Sequence, residues 1–83
     1  NELIVNVKKK LKKNINIENI IIEDKTFLHK NHPGHLSNRF HLKISIKSDE
    51  LKNLSKIDSN KKIYKILDEE LKNYIHSLQI LIN

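Results

Sequence analysis

Five histidines and no cysteine set the chemistry open to this 83-residue chain. His29, His32 and His35 carry the spacing H-x-x-H-x-x-H, while His41 and His76 stand apart. Imidazole is a borderline ligand that suits Fe, Zn and Cu. It can also replace thiolate in an iron–sulfur centre, which raises the reduction potential. The absence of Cys excludes a disulfide frame, a thiol nucleophile and any metal held by this chain's own thiolates. Only neutral imidazole binds metal, so binding through histidine is expected to weaken as pH falls through about 6.5. A plainer reading stands beside this one. Histidines in a polar loop are commonly solvated, and the same spacing suits adventitious Zn. A histidine at the start of a strand, as His76 is, is more often hydrogen-bonded structure than ligand. His41 is read as structural.

Catalysis is poorly served. There is no Ser/His/Asp order and, with one Gly, no nucleotide-binding loop. Asp68, Glu69 and Glu70 are consecutive on a helix and splay apart. Neither an enzyme nor a small-molecule substrate is expected.

The elements that must position these groups follow from periodicity. Leu3, Val7 and Leu11 recur every four residues with Ile4 beside them and lysines between, predicting an amphipathic helix ending near Asn14. The β-branched run Ile20-Ile21-Ile22 predicts a strand at about 19–25. Residues 26–38 have no period and hold the only Pro and Gly, a loop. Phe40, Leu42, Ile44 and Ile46 then alternate with His41, Lys43, Ser45 and Lys47, a strand with one buried and one wet face. His41 thus falls on the outer face, facing solvent or packed there.

Ser48-Asp49 opens a short helical turn with Leu51 and Leu54. Ser55 and Asp58 form an S-x-x-D start to a longer helix, with a buried stripe of Ile63, Ile66, Leu67, Leu71 and Tyr74. Lys65 with Glu69, and Asp68 with Lys72, are i,i+4 pairs on its solvent side. A last strand at about 76–82 alternates Leu78, Ile80 and Ile82 with Ser77, Gln79 and Leu81. The order αββααβ predicts an α+β two-layer sandwich, a three-stranded mixed sheet with helices on one face. At this length one core forms and a second does not, so 1–83 is read as a single domain. No apolar run approaches the roughly 18 residues of a membrane span. The opening Asn1-Glu2-Leu3 is not a signal peptide and lacks Met, as expected of a processed or trimmed form.

From Ile20 onward the chain resembles the BolA family. Asp24-Lys25-Thr26 stands where the family has an Asp-Glu-Ser-like turn. His29-Lys30-Asn31-His32-Pro33-Gly34 matches its H-x-x-H-x-G loop, and His41-Leu42-Lys43-Ile44 its His-Phe-Lys-Val-like strand. Leu67-Asp68-Glu69-Glu70-Leu71 and Ile75-His76-Ser77-Leu78 match the end of the long helix and the start of the last strand. The segment from His41 to Leu71 aligns without a gap. Two departures stand out. Ser59-Asn60-Lys61 replaces an Arg-His-Arg-like triplet. Asn53 replaces a Gly, and because Asn tolerates a left-handed backbone the turn is expected to survive.

The resemblance implies a fold related to the type II KH domain and a monothiol glutaredoxin partner. It further implies a 2Fe–2S cluster shared in that complex, with thiolates from glutaredoxin and glutathione, and none bound by the isolated chain. The ligands it implies are His29 and His76, with His32 as the alternate. The partner surface is expected to include His35, Lys61, Lys62 and Lys65. A glutaredoxin partner implies a reducing compartment, the cytoplasm or a mitochondrion.

The rival class is a KH-like, DNA-binding transcriptional regulator. The net charge is +6, and Lys8, Lys9, Lys12, Lys25 and Lys30 are the candidate phosphate contacts. Against it, a KH domain grips nucleic-acid backbone through G-x-x-G, which one Gly cannot supply. Aromatics for stacking are scarce, and Phe40 and Tyr74 are expected to be buried. The wealth of Ile, Lys and Asn also fits AT-biased coding, in which Lys accumulates for reasons unrelated to binding.

Overall fold

Alternation along the central strand sets the architecture. The computed structural model describes residues 1–26 and 39–83. They form α1 (Glu2–Asn14), β1 (Asn19–Asp24), β2 (Phe40–Lys47), α2 (Asp49–Lys52), α3 (Lys56–Ile66), α4 (Asp68–Asn73) and β3 (Ile75–Ile82). The sheet order is β1-β2-β3, with β1 antiparallel and β3 parallel to β2. Two registered rows, Ile20–Ile46–Ile82 and Ile22–Ile44–Ile80, point to the same side. There they meet Val7 and Leu11 of α1, Leu51 of α2 and Ile63 of α3 in one core. The opposite face carries the row Glu23–Lys43–Gln79 and is wet, as alternation predicts. No described helix is long and apolar enough to cross a membrane.

The helix ends follow from local chemistry. Asn1 caps α1 by accepting from the Leu3 amide at 2.9 Å. Ser55 caps α3 by accepting from the Asp58 amide at 3.0 Å. Ser48 caps α2 and is fully buried. Its hydroxyl donates to the Asn16 carbonyl at 2.7 Å and accepts from the Leu51 amide at 3.3 Å. It therefore joins the α1–β1 connection to the β2–α2 connection. Ser48→Ala strips two polar groups of a partner and is expected to cost about 1–3 kcal/mol. For a domain of this size that lowers the melting temperature by roughly 5–15 °C, measurable by circular dichroism.

Three expectations need correction. The long helix is not continuous: it breaks at the buried Leu67, and α4 starts afresh at Asp68. Asp68, Glu69 and Glu70 fill the first turn of α4, where carboxylates favour a new helix N-terminus. The stripe's period does not carry past the break, so Tyr74 is 51% exposed instead of buried. Asn53 keeps a right-handed backbone (φ −78°, ψ −8°) and donates to the Asp49 carbonyl at 3.0 Å, so the turn needs no left-handed residue. Of the two charge pairs foreseen on the long helix, Asp68–Lys72, which lies wholly within α4, forms at 3.0 Å.

Candidate functional site

The end of the sheet where β2 begins brings candidate residues together. Phe40 pairs with Ile75, but the next residue, His41, pairs with Ser77. His76 is the extra residue of a bulge. The consequence shows in the burial pattern. From Ser77 onward, odd-numbered residues of β3 are exposed and even-numbered ones face the core. Unbroken alternation would turn His76 inward and Ile75 outward. The bulge reverses both: Ile75 is 2% exposed and His76 is exposed. Bulges commonly re-aim a side chain in this way.

His41 lies across from this bulge on the outer face of β2, only 7% exposed. Its Nδ1 shares a hydrogen bond with Ser77 Oγ at 2.6 Å. Its ring stands edge-on to that of His76, with centroids 5.0 Å apart and planes at 63°. Its backbone amide donates to Thr26 Oγ1 at 3.2 Å, and its carbonyl accepts from the Lys25 amide at 2.7 Å. Thr26 is held in turn by Asp24, which accepts from both the Thr26 amide and its hydroxyl. The Asp24-Lys25-Thr26 turn is thereby tied to the central strand.

His29, His32, His35 and Lys30 lie outside the described residues. Among the described residues, no group of three or more His, Cys, Asp or Glu could hold a metal ion. Of the candidate ligands, His76 is the one the structure describes, and it is exposed.

The basic residues divide. Lys61 and Lys65 are exposed on α3. Lys62 is engaged with Glu50 at 2.7 Å. Glu50 also accepts from the Asn16 amide at 3.1 Å. The Lys62 hydrogen bond first, and the Asn16 amide second, hold the Glu50 carboxyl below its ordinary pKa. A carboxyl depressed in the folded state stabilises the fold above its unfolded pKa, and the gain is lost as pH falls through the folded value. Acid unfolding of Glu50→Gln is therefore expected to lack a small stability loss that the parent shows in that window. On α1, Lys8, Lys9 and Lys12 are exposed. Lys10 is instead bound to Glu70 of α4 at 2.9 and 3.1 Å. Lys25 pairs with Glu23 at 3.4 Å.

Sequence reasoning missed the His41–Ser77 contact and the bulge. One signal was present: Ile75 and Leu78 are apolar at odd spacing, which breaks the alternation set by Leu78, Ile80 and Ile82.

Comparison with known proteins gives a consistent result. The family model described as BolA-like protein matches residues 11–83. A Haemophilus influenzae protein named DNA-binding transcriptional regulator BolA is 32% identical over 74 residues, covering 89% of this chain and 69% of that protein. The BolA domain of SufE1 from Arabidopsis thaliana superposes with a TM-score of 0.80 at 28% identity, covering 95% of this chain and 87% of that one. BolA1 from Mus musculus shares the fold, with a TM-score of 0.78 at 17% identity, over 98% of this chain and 63% of that one.

Proposed function

This chain belongs to the BolA family, and we propose on that premise that it is an accessory protein of monothiol glutaredoxin. It binds that partner and lends imidazole to a shared 2Fe–2S cluster, for cluster assembly, trafficking or iron regulation. Glutaredoxin and glutathione supply the thiolates that this chain lacks. The observation that carries the reading is the outward turn of His76. The bulge seats Ile75 in the core and in the same step exposes the His76 imidazole, an arrangement that suits a ligand presented to another protein. His29 is the second ligand in this reading and His32 its alternate. His35, Lys61 and Lys65 fall at the contact, where charge speeds encounter more than it sets affinity. The partnership requires a reducing compartment, the cytoplasm or a mitochondrion.

The test is anaerobic reconstitution with a monothiol glutaredoxin, glutathione, iron and sulfide, followed by gel filtration. The expected result is co-elution of both proteins with a visible absorption band that differs from that of the glutaredoxin alone. Separate elution, with the glutaredoxin spectrum unchanged, removes the reading.

A second reading, DNA binding, rests on the exposed Lys8, Lys9 and Lys12 of α1 and on the name of the Haemophilus relative. Lysine contacts to phosphate make the logarithm of affinity fall linearly with that of salt, by about 0.9 per neutralised phosphate. Replacing these three lysines with Gln is expected to reduce that slope by roughly 2–3 if α1 lies on DNA. An unchanged slope in a duplex titration sets α1 aside as the contact.

A further inference from the structure

We propose that His41 is the positioning residue of this site: it fixes the ring of His76 outward and links that ring to the base of the segment bearing His29, His32 and His35. The inference rests on the ligand reading of His76 and adds a residue that neither its exposure nor its chain position would suggest. Three observations converge on it.

The first is burial at a wet-face position. His41 occupies a wet-face position of β2, where its neighbour Lys43 is half-buried and Lys47 exposed, yet it is itself 7% exposed. A buried imidazole needs partners for its ring nitrogens, and Nδ1 has one in Ser77 Oγ at 2.6 Å. That bond joins the two residues that are paired immediately after the bulge. It therefore pins the shifted register. A slip of one residue would restore plain alternation and turn His76 into the core face.

The second is ring contact. The edge-on geometry, with centroids 5.0 Å apart at 63°, is the arrangement aromatic quadrupoles prefer. It restricts rotation of an imidazole that is otherwise exposed. A ligand held in one orientation loses less freedom when a partner docks. The third is the backbone. The His41 amide donates to Thr26 Oγ1 and its carbonyl accepts from the Lys25 amide, while Asp24 holds Thr26. One residue thus contacts both the strand carrying His76 and the turn from which the histidine-rich segment departs.

The test uses Ser77→Ala, which removes the hydrogen bond and leaves both rings, and His41→Leu, which removes bond and ring contact together. In the free protein, NMR reads the His76 rotamer from side-chain couplings and the ring-to-ring cross-peaks between His41 and His76. The parent is expected to show one rotamer and clear cross-peaks. Ser77→Ala is expected to weaken the cross-peaks and average the rotamer. His41→Leu is expected to leave His76 fully averaged. In the glutaredoxin complex, both variants are expected to hold the cluster roughly tenfold less tightly, the low end of what losing an outer contact to a metal ligand costs. A His76 ring that keeps its single rotamer in both variants overturns the proposal, as does a variant complex that holds the cluster as tightly as the parent. If His41→Leu does not fold, Ser77→Ala decides alone. Should the parent chain assemble no cluster with glutaredoxin, the ligand reading falls, while the NMR measurement on the free protein still decides whether His41 orients His76.

Discussion

His76→Ala is expected to abolish the histidine-dependent spectrum of the glutaredoxin complex and to lower its cluster occupancy at least tenfold, while leaving the fold intact. Loss of a contact that merely orients a ligand costs about 10–100-fold in metal affinity, so loss of the ligand itself should cost no less. The fold should survive because His76 is exposed. Its ring meets that of His41 edge-on, and such a contact contributes about 0.5–1.5 kcal/mol. Ile75, which anchors this end of β3 in the core, is untouched. Visible circular dichroism of the reconstituted complex reads the first effect and thermal unfolding of the free chain reads the second. An equally large loss on unfolding would mean that His76 is structural, the plainer of the two readings open to a strand-start histidine.

Ile44→Ala is expected to bring the domain close to unfolding. Ile44 is fully buried at the middle of the central strand, between Ile22 and Ile80. Truncating a buried isoleucine costs about 2–5 kcal/mol, the larger values where neighbours cannot close on the cavity. Both flanking strands are registered to β2, which leaves little room for collapse. A chain of this length is stabilised by only about 4–12 kcal/mol in all. The melting temperature should fall by roughly 10–25 °C. Ile21→Ala is the control: the same side chain, one residue from Ile22 but 55% exposed on the open face, should change stability by less than about 0.5 kcal/mol. Urea or thermal unfolding of the pair separates core burial from strand propensity, which the two substitutions share.

Much of the fold was legible because its signals are periodic. Val7 and Leu11 lie buried on α1 as their four-residue spacing predicts, and Leu42, Ile44 and Ile46 line the core as strict alternation predicts. The break at Leu67 was hidden because every residue from Asp68 to Asn73 suits a helix, and a helix–helix junction leaves no period of its own. Tyr74 was misjudged for the same reason: its place in a stripe assumed a continuous helix. Departures from period two were harder still. His41 falls on the wet face by counting, and its contacts with His76 and Ser77 are tertiary. The residues proposed here for function are those where local pattern fails, at the bulge and beside it. The resemblance singled out His76 as a ligand without showing how the backbone turns it outward. The three loop histidines rest on sequence alone.

The most direct measurement is pulsed electron paramagnetic resonance on the reduced 2Fe–2S complex with monothiol glutaredoxin, with this chain labelled by 15N at histidine. A strongly coupled imidazole nitrogen from this chain is expected, with the coupling changing on labelling and its His76 component absent in His76→Ala. A cluster whose nitrogen couplings do not respond to the label, and are the same in His76→Ala, would contradict ligation by this chain.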